Sequence, residues 1–296
     1  MSEAITLLRA RARSLGLKLL RNDPITLEYD GDLGIPVVDY GGRSGVRIGV
    51  RVNPLYVALY ACKQMMLERV CGPILVQRLP ETESEDYVRR AVGWLLANQQ
   101  ARGSFRVWVC DFPWPPAHLN PPWSSALAEA FGALVLLEKN HLNDARLHLQ
   151  SLLTDFREGG LGYPAGGALW FLEYPSSDPP LVLNCMLHCL AILKECSKRI
   201  NDPSLERGFS LAFETLRRDI GMFDASFYTY YDSNRTPAEK KYHEIHVALL
   251  QILYEASGEA WLLPWIDRWN KYLRSYSFIE PVIFGKYLLG KRTGIG

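Results

Sequence analysis

The residues best suited to chemistry in this chain lie in four stretches dense in aromatic and polar side chains: DFPWPP at 111–116, NPPWSS at 120–125, GGALWFLEYPSS at 166–177 and FDASFYTYYDSNR at 223–235. They hold Glu173, Tyr174, Tyr231 and Arg235, and Tyr242 and His243 follow at the start of the next apolar pattern. Taken singly, these residues have ordinary uses. A carboxylate such as Glu173 can cap the helix after it, and tyrosines such as Tyr231 and Tyr242 are commonly half-buried with the hydroxyl on a backbone partner. Trp114, Trp123, Trp170 and Phe171 can stack on the C–H faces of sugar rings or close the ends of a core. His243 and His246 have the spacing of two metal ligands on one helical turn, but no third ligand accompanies them and the H-E-x-x-H order is absent. The glycine-rich run at 159–167 lacks the Lys-Ser/Thr ending of a phosphate loop. Six cysteines sit mostly in apolar stretches without C-x-x-C pairing and read as small buried hydrophobes. No metal and no cofactor is expected.

Such connections need a scaffold, and the apolar periodicity supplies one made of helices. Val88, Ala91, Val92, Leu95 and Leu96 recur at helical spacing behind a capping-box pattern at Thr82 and Glu85. Ser124 is expected to cap a helix through Leu127, Phe131 and Leu134, and Asn143 one through Leu147 and Leu153. The stripe Val182, Cys185, Met186, Cys189, Leu190, Leu193 defines another, and Asp202-Pro203 is a cap followed by proline at the first helical position. Thr236, Pro237 and Glu239 repeat that start chemistry before Ile245, Ala248, Leu249 and Ile252, and a last pair of helices is expected over 259–289. The first 20 residues read as a basic amphipathic helix packed on its own domain, and the β-branched, Gly-rich segment 25–53 as a short strand or hairpin. The whole, about ten helices over 1–296 in a single domain, is all-α. Periodicity alone does not choose between a bundle and a barrel.

Composition narrows the partners. With 48% hydrophobic residues in 296, the chain can bury one large core. Its 33 basic and 32 acidic residues leave it nearly neutral with no long run of either sign, so a nucleic-acid footprint is not expected. No stretch approaches the roughly 20 apolar residues of a membrane span, and arginines are spread among the first leucines where a secretory signal would be apolar. The expected compartment is the cytoplasm.

Four segments carry a resemblance to a known family: W-S-S-A-L-A at 123–128, W-F-L-E-Y-P followed by V-L-N at 170–184, F-D-A-S-F-Y-T-Y-Y-D at 223–232, and K-Y-H-E-I-H at 241–246. They resemble the C-terminal α/α-barrel domain of D-glucuronyl C5-epimerases, enzymes that turn D-glucuronate into L-iduronate within heparan-type polysaccharides and related bacterial glycans. The similarity runs from about residue 53 to about residue 273. It implies a toroid-like α/α barrel, complete or incomplete, and assigns Glu173, Tyr174, Tyr231 and Tyr242 to the reaction centre. Inverting C5 requires taking a proton beside a carboxylate and returning one from the opposite face, which makes Glu173 and Tyr242 the opposed pair. Asn184, Arg235 and His243 are the implied donors to the substrate carboxylate, with Trp123 and Trp170 as implied substrate contacts. The implied partner is a uronic-acid-containing oligo- or polysaccharide, and a second copy of the chain, as a homodimer, is a further candidate. Within the motifs, Leu172 replaces an acidic residue, and Glu129 and Phe131 replace glutamines. The stretch before Asn53 is too short for the β-sandwich that precedes the barrel in animal-type epimerases. A uronate lyase, which also removes the C5 proton but then expels the C4 substituent, and a non-catalytic glycan-binding or scaffold protein are the alternatives.

Overall fold

The computed structural model describes residues 27–30, 34–40, 48–74 and 84–293. Nine α-helices fall within them: α1 (Pro54–Gln64), α2 (Glu68–Cys71), α3 (Ser84–Ala97), α4 (Ala126–Glu138), α5 (Leu142–Leu153), α6 (Leu183–Arg199), α7 (Pro203–Asp219), α8 (Lys240–Ser257) and α9 (Leu263–Thr293). The helix expected over the first 20 residues, and Thr82 of the expected capping box, lie outside the described residues.

The apolar faces sort the helices into two layers. α1, α4, α6 and α8 form an inner row in which each packs on the next, and α3, α5, α7 and α9 back them in chain order. This is the α/α arrangement, an arc of four helix pairs, with the short α2 against α6 and α8. α4 is the centre of the row. It touches α1, α5 and α6, and its residues from Ala126 to Leu137 are all buried, which is why its sequence is apolar on every side. Gly132 is required there: a Cβ would stand 2.4 Å from the Trp108 ring.

Three helix starts differ from expectation because the side chains have other partners. Ser125, not Ser124, precedes α4, and neither hydroxyl caps it; the Ala126 amide donates to the Leu172 carbonyl at 2.9 Å. α5 begins at Leu142, leaving Asn143 inside the first turn with its amide oxygen on Arg146. α8 begins after Glu239, and Thr236 is drawn back to Asp232, to which its hydroxyl donates at 2.9 Å. At α7 the start is as expected, Asp202 accepting from Ser204 N at 2.8 Å with Pro203 first in the helix. The expected last pair is one helix of 31 residues with Pro281 inside it, a short 3₁₀ turn preceding it at Ala260–Leu262. All six cysteines are free and buried.

The β structure is small. β1 (Leu27–Asp30), β2 (Ile35–Asp39) and β3 (Val50–Arg51) form an antiparallel sheet in that order, and β2 lies against α1 and α3. Two hairpins, β4 (Gln100–Arg102) with β5 (Phe105–Val107) and β6 (Gly162–Ala165) with β7 (Ala168–Phe171), are inserted between helices. No described helix is long and apolar enough to cross a membrane.

Candidate active site

β7 delivers the central carboxylate. All four of its residues are buried, the Leu169 amide donating to Thr215 at 2.9 Å and the Trp170 indole to Asp219 at 3.2 Å, so the strand is fixed against α7. Leu172 continues into the core, its N–H on the Leu161 carbonyl and its own carbonyl on the first amide of α4. Glu173 therefore leaves the core at a defined point, with only 7% of its surface exposed.

The opposing wall comes from 229–237. Tyr231 is held through both backbone groups: its N–H donates to Thr236 O at 2.6 Å, and its carbonyl accepts from Leu183 N at 3.0 Å. Asp232 closes the turn by accepting the amide and hydroxyl of Thr236. This clamp aims the Tyr231 hydroxyl at Glu173 Oε2, 3.3 Å away. Tyr242, third in α8, presents its ring edge-on to Tyr231 with centroids 4.9 Å apart. The Tyr174 hydroxyl is a second phenol near Glu173 that favours its ionised form. Lys241 lies over the Tyr242 ring with its Nζ 5.0 Å from the centroid, and pairs with Glu239 at 3.2 Å.

Burial sets the electrostatics. It pushes the Glu173 carboxyl up to about 7, against the hydroxyls of Tyr174 and Tyr231, which favour the ionised form; the charge of Asp232 adds to the rise. The phenols of Tyr174, Tyr231 and Tyr242 are raised by burial first and by the neighbouring Glu173 charge second, so all three hold their protons at neutral pH. A carboxyl brought near neutrality and surrounded by phenols can take up and release a proton close to physiological pH.

Tyr174 and Tyr231 border a cleft of about 930 Å³ whose walls also include Trp114, Arg235, Ile283 and Tyr287, with Glu173 and Tyr242 behind them. Arg235, in the left-handed region with φ 58°, is exposed on this wall and makes no ion pair among the described residues. Asn184, second in α6, is 5% exposed, and its amide oxygen has no hydrogen-bond partner among them.

Glu173, Tyr174, Tyr231 and Tyr242 thus come together, with Arg235 on the same cleft and Asn184 beside the Tyr231 clamp. Two other expectations are corrected, and Trp123 lies apart from the main cleft. His243 is fully buried with both ring nitrogens engaged, Nε2–H donating to Trp269 O at 2.9 Å and Nδ1 facing the Thr229 hydroxyl at 2.9 Å. Burial pushes it down to about 4, so it is a neutral core histidine without a free donor. Thr229 also meets His246 Nδ1 at 3.1 Å, which accounts for the i, i+3 histidine spacing in packing terms. Trp170 is 1% exposed and packs on Phe223, so it offers no face to a sugar. Trp123 is 7% exposed, donates to Phe112 O at 2.7 Å and borders a second, smaller cavity away from the main cleft's walls. Sequence reasoning missed Tyr56, in the first turn of α1, whose phenol is raised by burial first and then by the neighbouring Tyr40, Tyr242 and Glu173. Its only local signal is the Asn53-Pro54 helix start that orients it: Asn53 accepts from Leu55 N at 3.0 Å and donates to the Tyr40 hydroxyl at 2.8 Å.

Comparison with known proteins gives the chain's family. The family model described as D-glucuronyl C5-epimerase C-terminus matches residues 101–271, more than half of the 296. An uncharacterized protein of Methanocaldococcus jannaschii is 24% identical over 271 residues, covering 84% of this chain and 85% of that one. A D-glucuronyl C5-epimerase of Caenorhabditis elegans is 26% identical over 209 residues, covering 62% of this chain. Against that relative the chain spans about a third of the length, 34%. The matched span includes Glu173, Tyr231 and Tyr242 and excludes Tyr56.

Proposed function

This chain belongs to the D-glucuronyl C5-epimerase C-terminus family, and from that premise we propose that its cleft inverts C5 of a D-glucuronate residue to L-iduronate in a glycan or glycan precursor. The observation that carries the reading is the position of Glu173: a buried carboxyl brought up to about 7, directly behind Tyr231, whose hydroxyl it accepts and which lines a cleft that also holds Arg235, an arginine without an ion pair among the described residues.

The hydrogen on C5 of a uronate is weakly acidic because its electron pair can move into the adjacent carboxylate. That second negative charge has to be met at the moment it forms, and the Arg235 guanidinium and the hydroxyl of Tyr231 are the donors on the cleft wall. Glu173 in its ionised form takes the C5 proton. The planar intermediate then receives a proton on its other face from Tyr242, whose hydroxyl is protonated at neutral pH, and the phenolate so formed is stabilised by Lys241 over its ring. Tyr231, bonded to Glu173 and touching Tyr242, is the residue through which the proton balance is restored. Every proton taken is returned and no bond other than C5–H is broken, so no cofactor is required by this scheme.

Incubation of the purified protein in heavy water with a panel of glucuronate-containing oligosaccharides and precursors tests the reading. Deuterium at C5 with chain length unchanged is the expected result. An unsaturated, ultraviolet-absorbing product would assign β-elimination to the same site, and the absence of both across the panel would leave glycan binding without catalysis.

A further inference from the structure

Three side chains of α9 end on the stretch of chain that joins Tyr231 to Tyr242. The Tyr276 hydroxyl donates to the Ala238 carbonyl at 2.6 Å, Glu280 Oε1 accepts from the Lys240 amide at 2.8 Å, and the Tyr287 hydroxyl meets that of Thr236 at 3.2 Å. Their spacings of four and seven residues put all three on one face of the helix. None of them lies within residues 101–271, where the family model matches.

The Glu280 contact supplies what the local sequence of α8 does not. Glu239, at the cap position, has the extended backbone that a cap requires, with φ −65° and ψ 155°, but its side chain bonds no amide of the first turn. It pairs with Lys241 instead, at 3.2 Å. The first N–H groups of a helix have no acceptor within it. The Lys240 amide, first in α8, finds its acceptor 40 residues further on, in Glu280, and a carboxylate at that point also meets the positive end of the helix dipole. In the same turn the Tyr242 and His243 amides both donate to the Glu239 carbonyl, at 2.9 and 3.0 Å, so the set of this turn decides where the Tyr242 side chain starts. Glu280 is not among the residues that wall the main cleft.

We propose that Glu280 is a positioning residue for Tyr242. It touches no reacting atom; held on α9, it fixes the first turn of α8 and with it the place at which the Tyr242 ring meets Tyr231. Displacing a reacting group by about 1 Å can cost about 100-fold in rate, so a frayed first turn is felt at the proton transfer even though the cleft wall is untouched. The role rests on the reading of the main cleft given above, in which Tyr242 returns the proton to C5, and adds to it a residue outside the matched span.

The full chain, Glu280→Ala and Glu280→Gln are compared in two measurements. The first needs no ligand: amide hydrogen exchange over 239–246, read by mass spectrometry, should be about fivefold faster in Glu280→Ala and close to unaltered in Glu280→Gln, whose amide oxygen can still accept from Lys240. The second uses glucuronate oligosaccharides in heavy water at early times and reads the ratio of inverted to retained configuration among the deuterated C5 centres. A displaced Tyr242 impairs inversion and leaves the return of deuterium through Glu173, so the ratio should fall about tenfold in Glu280→Ala and by less than about threefold in Glu280→Gln, with KM unchanged within about twofold. Loss of folded protein would lower both products alike and leave the ratio where it was. A ratio unchanged in Glu280→Ala, or amide exchange unchanged over 239–246, overturns the proposal. If circular dichroism shows that Glu280→Ala does not fold, Glu280→Asp, which keeps the charge and withdraws the acceptor by one methylene, takes its place in both measurements. If the unaltered protein neither inverts nor exchanges C5 in any oligosaccharide of the panel, the reading of the main cleft fails and the role of Tyr242 with it; the amide exchange distinguishes that case, because it reads the hold of Glu280 on α8 without a ligand.

Discussion

Replacing Glu173 by Gln should abolish exchange at C5 and at the same time stabilise the protein, by an amount that depends on pH. The carboxyl sits at about 7 in the folded protein against an ordinary value of 4.5, because burial disfavours its charge. The folded state therefore holds a proton that the unfolded chain releases. The stability linked to that proton is complete below 4.5 and is lost as the pH rises through 7. At 1.36 kcal/mol per pKa unit, the ionised carboxylate costs the fold about 3 kcal/mol at pH 8 and under about 1 kcal/mol at pH 5. Glutamine keeps the volume and can still accept from Tyr231, but cannot ionise. Urea unfolding of both proteins, followed by far-ultraviolet circular dichroism at pH 5 and pH 8, measures the difference directly, since other titrating groups cancel in the comparison. The gap between the variant and the unaltered protein should widen by roughly 2–3 kcal/mol from the lower pH to the higher. A gap that is the same at both values, within about 0.5 kcal/mol, would show that Glu173 does not titrate near neutrality and would refute the electrostatic basis of its role as base.

Tyr242→Phe keeps the ring and its edge contact with Tyr231, so the circular dichroism spectrum should be unchanged while inversion at C5 falls by about 100-fold or more and deuterium exchange with retention of configuration persists through Glu173. Arg235→Gln removes the unpaired guanidinium of the cleft wall, and KM for uronate oligosaccharides should rise about tenfold and lose most of its dependence on salt, read from initial rates at two ionic strengths. In the core, Glu129→Ala should cost about 3–5 kcal/mol of unfolding free energy and Glu129→Gln under about 1 kcal/mol, because glutamine can still accept from Trp108 N and donate to His148 Nδ1. Denaturant titration of the two variants separates the cases.

The helical scaffold was legible because its information is local. The stripes through Val88–Leu95, Leu127–Leu134 and Val182–Leu193 fall on helices, and Asp202-Pro203 opens one, since apolar spacing and a cap followed by proline act within a turn or two. The misplaced caps fail for the converse reason. Thr236 has the composition of a start signal, but Asp232, four residues back, competes for both its amide and its hydroxyl. The grouping of Glu173, Tyr231 and Tyr242 came from motif resemblance, since nothing in their spacing, 58 and 11 residues apart, predicts contact. His243 shows the limit of that route: it lies in the matching segment beside Tyr242, but the next position round a helix points elsewhere, here to Thr229 and Trp269. Tyr56 is brought near Glu173 and Tyr242 from α1 by tertiary folding alone, outside the matched span.

The core holds a second buried carboxyl, and the contrast shows what sets the surroundings of Glu173 apart. Glu129 has no exposed surface, and both of its oxygens are committed: Oε1 accepts from Trp108 N at 2.8 Å and Oε2 meets His148 Nδ1 at 2.6 Å. Gln99 fixes the proton inventory. Its amide nitrogen donates to Asp144, so its oxygen faces His148 Nε2 at 3.1 Å and requires a hydrogen there. Burial pushes His148 down to about 3 and Glu129 up, which leaves a neutral imidazole accepting at Nδ1 from a protonated Glu129. The pair is closed, flat under the Trp108 ring at 3.5 Å, with every donor and acceptor matched inside the protein. Glu173 is nearly as deep, but its partners are phenol hydroxyls that also border a cleft, and its carboxyl stays at about 7, near the pH at which it would work. Depth alone raises both carboxyls; what separates a structural proton from a transferable one is whether the hydrogen bonds around it end in the core or at an open wall.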